Sequence, residues 1–168
     1  MAEVFIGAGS NVDAVRHLRA GLVALAERYG LLKVSPVYRN SAVGFTGDDF
    51  LNLVIGFETD EPVGEVARYL GEVEAANGRT RTEEKFSPRT LDLDLLLYGG
   101  LVGEFDGVEL PRSEITRYAF VLKPLADLVP EARHPVEGAT YADMWAGFDV
   151  SRHPLEQVVV DFTEESSS

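Results

Sequence analysis

Two acids and four bases, close together in the chain, carry most of the chemistry that residue types alone can suggest. In Ser87-Pro-Arg-Thr-Leu-Asp-Leu-Asp-Leu-Leu-Leu-Tyr98 the alternation is that of a strand. Period two sets Leu91, Leu93 and Leu95 on one face and Asp92 with Asp94 on the other. Aspartate suits strands poorly, and two carboxylates about 7 Å apart on one face repel. Divalent cations held between such a pair and a phosphate ligand would relieve that repulsion. The simpler alternative is a solvated outer face that happens to carry two acids. Just upstream, Arg79, Arg81, Lys85 and Arg89 fall within eleven residues of a chain that has only three lysines. Guanidinium forks grip phosphate oxygens bidentately, and a polar loop could close over a substrate. Glu83 and Glu84 partly neutralise this loop, so a solvated charged loop is the competing reading. Basic residues that lead straight into paired acids are harder to dismiss than either feature alone.

Several other chemistries are excluded. Gly7-Ala8-Gly9 is a lone G-x-G with Val12 where a dinucleotide fingerprint needs a small residue. There is no G-x-x-x-x-G-K-[ST] and no G-x-S-x-G, which removes P-loop phosphate transfer and the commonest serine-hydrolase elbow. His17, His134 and His153 share no ligand spacing, and the chain has no cysteine, so a zinc or disulfide framework is not expected. Trp145 reads as core. Glu74 borders an apolar helix face and is either an end-of-helix surface residue or a site residue facing the basic loop.

The elements needed to position these residues can be read in order. Residues 3–8 are β-prone and lead into Gly9-Ser10-Asn11. A helix follows through Val15, Leu18, Leu22, Leu25 and Tyr29, with Asn11 as N-cap and Gly30 as stop. Residues 31–38 form a strand with Pro36 at a bulge or edge, 40–49 a loop, and 51–57 a half-buried strand. Pro62 opens a second helix that closes near Gly78, and 91–97 is the acid-bearing strand. The order β-α-β-β-α-β is the ferredoxin-like split pattern. The expected class is α+β, an antiparallel sheet with helices packed on one face, followed by a hairpin near Gly99–Gly107 and further helices. Residues 113–128 read as one helix, 141–148 as a short amphipathic helix, and 155–162 as a strand. One domain is expected over 1–162, with a disordered tail at 163–168.

Composition narrows the partners. The net charge is −13, a field that repels nucleic acid and anionic membranes. No apolar run reaches the roughly 20 residues of a membrane helix. The start of the chain does not read as a signal peptide, so a cytoplasmic location is the expectation. A monomer is the working expectation as well. An anionic ligand would have to be met by a local basic patch or by metal ions.

Taken together, these residues resemble the 6-hydroxymethyl-7,8-dihydropterin pyrophosphokinase family. The resemblance runs from about Val4 to Pro135 and is carried by Gly9-Ser10-Asn11, Ser35-Pro-Val-Tyr-Arg39, Phe50-Leu-Asn52 and Glu74…Gly78-Arg79. It continues through Pro88-Arg-Thr-Leu-Asp-Leu-Asp94, the most specific stretch, to Ala119-Phe-Val-Leu-Lys-Pro-Leu125. The resemblance implies a ferredoxin-like fold and pyrophosphate transfer from ATP to a hydroxymethylpterin, with release of AMP, in folate biosynthesis. It implies that Asp92 and Asp94 bind two Mg²⁺ ions and that Arg79 and Arg89 contact the phosphates. Arg81 and Phe86 match loop residues over the nucleotide, and Glu74 matches a nucleotide-side acid. Asn52 matches the residue that reads the pterin edge, Phe50 and Phe120 the aromatic pair around its ring, and Val43 with Gly44 the backbone lining its pocket. Three departures stand out. Arg112 and Ser113 follow Pro111 where a histidine and an aromatic are common, and Tyr118 stands where an arginine is usual, with Arg117 before it. The loop 44–49 is also short. Arg112 and Arg117 are therefore candidates to replace the missing ATP-binding cations. The alternatives are a relative that binds pterin or nucleotide without turnover, and a D-x-D sugar-nucleotide transferase.

Overall fold

Alternating apolar residues build an antiparallel sheet of six strands. The structure is a computed structural model that describes residues 1–40, 49–78, 90–152 and 154–162. Strand β1 (Ala2–Ser10) pairs along its whole length with β4 (Phe50–Thr59), from Ala2 opposite Thr59 to Ser10 opposite Leu51. On the far side of β1 lies β5 (Asp92–Tyr98), an edge strand. The short strands β2 (Lys33–Val34) and β3 (Val37–Asn40) both pair with β4, and β8 (Glu156–Val158) closes the other edge against β3. Pro36 interrupts the ladder between β2 and β3, as the sequence suggests. Ser35 bridges the gap: its N–H donates to the Val54 carbonyl at 3.0 Å and its Oγ accepts from the Val54 N–H at 2.8 Å. The final strand is shorter than the 155–162 expected.

One face of the sheet carries Val4, Ile6, Ala8, Leu53, Ile55, Phe57, Leu91, Leu93 and Leu95. Helices α1 (Ala14–Tyr29) and α2 (Val63–Ala76) cover it with Leu18, Leu25, Val66 and Leu70. Gly30, at φ 82°, ends α1 with its N–H on the Ala26 carbonyl at 2.9 Å. Asn11 does not cap this helix. It is buried ahead of the helix, which starts after Asp13.

The expectation of helices on one face does not hold. Phe5, Val54, Leu96 and Leu97 form a second core with Val121, Leu122, Leu125 and Tyr141. These come from α4 (Ala119–Leu128) and α5 (Tyr141–Ala146). Val54 is fully buried, so β4 is buried on both faces rather than half-buried. The acid strand also departs from clean alternation. Phe5 lies opposite Leu97 and Ile6 opposite Leu95, so Leu96 is an extra residue that sends two successive leucines into the second core.

Residues 113–128 are two helices, α3 (Glu114–Arg117) and α4, rather than one. Tyr118 is extended at φ −125°, ψ 128°. Its N–H closes α3 on the Glu114 carbonyl, and its own carbonyl accepts from Val121 and Leu122 to start α4. The α4 helix is tied to the sheet by Tyr38, whose hydroxyl donates to Asp127, with Lys123 on the other carboxylate oxygen at 2.7 Å.

The hairpin of β6 (Gly103–Phe105) and β7 (Val108–Leu110) has a second task. From its turn, Asp106 Oδ2 accepts from the Gly64 N–H at 3.1 Å, in the first turn of α2. Pro62 offers no side-chain cap there. Asp106→Ala is expected to lower stability by about 1 kcal/mol, the usual weight of a lost cap. A denaturation midpoint that moves with an unchanged slope would show it. No helix among the described residues is long and apolar enough to cross a membrane.

Candidate active site

Sheet register decides which residues meet. Gly9 lies opposite Asn52 on one side and Asp92 on the other, and Gly7 lies opposite Val54 and Asp94. Residues paired across antiparallel strands share a face, so Asn52, Asp92 and Asp94 all point to the α4 side. The leucines Leu91, Leu93 and Leu95 are buried on the other side, as alternation required. Asn52 and Asp92 are two strand spacings apart, about 10 Å. Only glycine stands between them. A Cβ on Gly9 would lie 2.5 Å from Asn52 Oδ1, so the bare backbone is what lets the amide lie there. Neither glycine belongs to a dinucleotide fingerprint, and the sequence alone did not reveal this use of them.

Asn52 is nearly buried, and its Nδ2 donates to Asn40 Oδ1. Phe50 lies two residues before it on the same face of β4 and is half-buried. Phe120, in the first turn of α4, stacks on Tyr118 with ring centroids 5.0 Å apart and an interplanar angle of 22°. Tyr118 reads in the sequence only as a displaced arginine position. The structure makes it the stacking partner of Phe120.

The acid strand is anchored from two directions. Ser10 Oγ donates to the Thr90 carbonyl at 2.5 Å, fixing the approach to Asp92. Glu74, near the end of α2, is 2 % exposed, and its Oε2 accepts from the Leu93 N–H at 2.8 Å. Glu74 is thus not a surface residue at a helix end. It satisfies an edge-strand donor between the two aspartates, where unpaired N–H groups would otherwise face outwards. Glu74→Ala should lower stability by roughly 1–3 kcal/mol through the orphaned buried donor and lower turnover with it. Denaturation and steady-state rates on the same preparation would check both.

Electrostatics follow from this packing. Burial, then the neighbouring Asp92 carboxylate, pushes Asp94 up to about 7, with Arg112 opposing. Arg112 Nη2 lies 3.5 Å from Asp94 Oδ1, and its Nε donates to Glu114 Oε2 at 2.5 Å. Burial raises Glu114, but the Arg112 hydrogen bond and charge more than offset this and leave it below the usual range. Arg112 therefore belongs to the acid pair. Glu114, three residues before Arg117 and so within reach of it on a helix, carries no distinguishing signal in the sequence. It pairs instead with Arg112, and Arg117 is exposed with no ion-pair partner among the described residues. Val43, Gly44, Arg79, Arg81, Lys85, Phe86 and Arg89 lie outside the described residues.

The donor set suits a hard cation. Two carboxylates share a face, one is pushed up to about 7 by burial and then by its neighbour, and the Thr90 hydroxyl, two residues ahead of Asp92, is buried without a partner among the described residues. No group of three or more His, Asp or Glu side chains among the described residues could hold a metal by itself. Such an ion would complete its coordination from substrate or water.

Comparisons with known proteins point the same way. The family model described as 7,8-dihydro-6-hydroxymethylpterin-pyrophosphokinase (HPPK) matches residues 5–130. The 2-amino-4-hydroxy-6-hydroxymethyldihydropteridine pyrophosphokinase of Methylorubrum extorquens is 33% identical over 90% of this chain and 96% of its own length. The Aquifex aeolicus protein of the same name is 32% identical over 81% of this chain and 86% of its own. Among solved structures, Plasmodium falciparum HPPK-DHPS, crystallised with pterin and p-hydroxybenzoate, superposes with a TM-score of 0.68 at 13% identity. That match covers 90% of this chain and 43% of the longer one, and it speaks for the mixed helix and antiparallel-sheet fold.

Proposed function

Because the chain belongs to the 7,8-dihydro-6-hydroxymethylpterin-pyrophosphokinase family, we infer that it transfers pyrophosphate from ATP to 6-hydroxymethyl-7,8-dihydropterin. The hydroxymethyl oxygen attacks the β-phosphorus, the bond to the α-phosphate bridging oxygen breaks, and AMP leaves. The observation that carries this reading is the row Asn52–Gly9–Asp92. Gly9 stands in register between an amide suited to reading a pterin edge and an acid suited to holding a cation, on one face of the sheet, and this supports the reading.

Phe50 and Phe120 flank the pterin ring by stacking, Asn52 hydrogen-bonds its edge, and the backbone of Val43 and Gly44 lines the pocket. Asp92 and Asp94 hold Mg²⁺, two ions in this reading, which when bound neutralise the triphosphate. Arg79 and Arg89 steady charge on the transferring group, and Arg81 and Phe86 close over the nucleotide. Arg112 and Arg117 supply the remaining cations at the phosphate end. Glu74 serves the nucleotide side by holding the acid strand. With little covalent chemistry required, positioning and electrostatics carry the rate. The strand order β5-β1-β4-β3 has the succession of a ferredoxin-like sheet, and we read the fold as that type. A cytoplasmic monomer acting on small molecules, with no nucleic-acid or membrane partner, completes the proposal.

The testing experiment is a coupled assay for AMP. Release that requires ATP, Mg²⁺ and the reduced pterin together supports the reading. Tight pterin binding with no AMP would instead favour a binding protein without turnover, against which the acid pair and its cation environment argue.

A further inference from the structure

Arg112 lies between two acids that hold it with unequal firmness. Its backbone N–H donates to the Leu96 carbonyl at 3.0 Å, so the chain at this point is pinned to the bulge of the acid strand. What remains free to move is the guanidinium. Towards Glu114 it makes a short hydrogen bond through Nε, 2.5 Å. Glu114 is itself held: it opens α3, and its other oxygen accepts from Ser113 Oγ at 2.9 Å. Towards Asp94 the contact is a single long one, 3.5 Å from Nη2. Asp94 and Glu114 are both about three-quarters covered, so neither charge is left entirely to water. A divalent cation on the acid pair would place like charge within a few ångströms of Nη2, where repulsion in a partly desolvated site is large. Of the two contacts, the long one to Asp94 is the one that must give way.

We propose that Arg112 is a displaceable internal counter-ion of the Asp92–Asp94 pair, and that Glu114 is the positioning residue that retains its guanidinium when a divalent cation takes its place. The proposal rests on the reading of the acid pair as a cation site. In the free chain Arg112 compensates two repelling carboxylates, so the site persists without metal. On metal binding the guanidinium turns about the fixed Nε–Glu114 bond to the rim of the site, where it faces the bound triphosphate rather than the acids. Glu114 thereby lowers the cost of vacating Asp94. Without Glu114, Arg112 would settle fully on Asp94 and compete with the metal.

Side-chain NMR on the full chain tests this. With saturating α,β-methylene ATP, Mg²⁺ is titrated in from an EDTA-treated state. The Asp94 carboxyl carbon and the Arg112 Nη signals should change together, while the Arg112 Nε signal stays in place. Glu114→Gln should raise the Mg²⁺ midpoint roughly threefold to fivefold, the weight of a partly exposed ion pair. The same change in an Arg112→Gln background should move the midpoint less than about twofold. If Asp94 responds to Mg²⁺ while the Arg112 Nη signals do not, or if Glu114→Gln shifts both backgrounds equally, the exchange is overturned and the cation site stands. If Asp94 does not respond to Mg²⁺ at all, the site reading fails and the proposal fails with it.

Discussion

Exchanging Asp94 for asparagine is expected to reduce AMP release at least roughly a hundredfold and to leave the chain folded and no less stable. The side chain sits on the face opposite the Leu91–Leu93–Leu95 core, so its volume and strand position survive the change. What disappears is a charge that burial and Asp92 already disfavour. The sign of its pH dependence follows from the same fact. The folded value of about 7 lies above the ordinary 3.8, so the folded chain keeps a proton that the unfolded chain gives up. The stability this contributes is complete below about pH 4 and is lost as pH rises to about 7. In Mg²⁺-free buffer the melting temperature of the wild type, measured against Asp94→Asn, should fall across that window and level off above it. Because Mg²⁺ favours the ionised carboxylate, its stabilising effect on the wild type should grow over the same range and be absent in the variant. A variant with near-normal turnover, or a flat wild-type difference, would remove Asp94 from the site.

The second large effect is expected from one methyl group. Gly9→Ala should weaken pterin binding about tenfold to a hundredfold, corresponding to one or two lost buried hydrogen bonds. ATP binding measured without pterin should change little. The added Cβ would fall 2.5 Å from Asn52 Oδ1, and Gly9 is paired on both sides, so the strand cannot back away. The amide must rotate instead, giving up its bond to Asn40. Gly7→Ala provides the control. There the new atom meets only the end of the Leu96 side chain, at 3.4 Å, which can yield. Calorimetric titration of both variants with the pterin separates the two positions. Equal affinities would mean that Asn52 does not need its present orientation.

The acid pair was legible in the sequence because period two is a local property, and Leu91, Leu93 and Leu95 announce which face is buried. The second core was not. Phe5 and Val54 occupy positions that alternation assigns to solvent, and what covers them is a helix from residues 119–128, far along the chain. The break at Tyr118 was hidden for a related reason. Apolar spacing runs smoothly through Ile115, Ala119 and Leu122, and only the backbone shows the chain extending between two helices. The Glu74 carboxylate reads as either surface or site because its partner is a backbone N–H, which no residue type advertises. Arg112 was readable as a spare cation but not as a neighbour of Asp94, since their meeting depends on how the hairpin returns the chain to the edge strand. The glycine floor needed the register of three strands before it had meaning.

The row across the sheet acts as a ruler. Interstrand spacing is fixed by backbone hydrogen bonds at just under 5 Å, so the gap between Asn52 and Asp92 is set by two such steps and cannot be tuned by changing side chains. If Asn52 holds the acceptor as proposed, its alcohol is delivered at a fixed reach, and an arm longer or shorter by one methylene would be out of step with the acid strand. The cations proposed for the phosphate end obey no such gauge. Arg112 and Arg117 sit on a turn and a four-residue helix outside the sheet, where a charge can move by a residue or exchange one basic type for another without shifting a strand. The span from Asn52 to Asp92 is therefore the property this architecture holds rigid, and the order of charges beyond the sheet is the one it leaves free to vary.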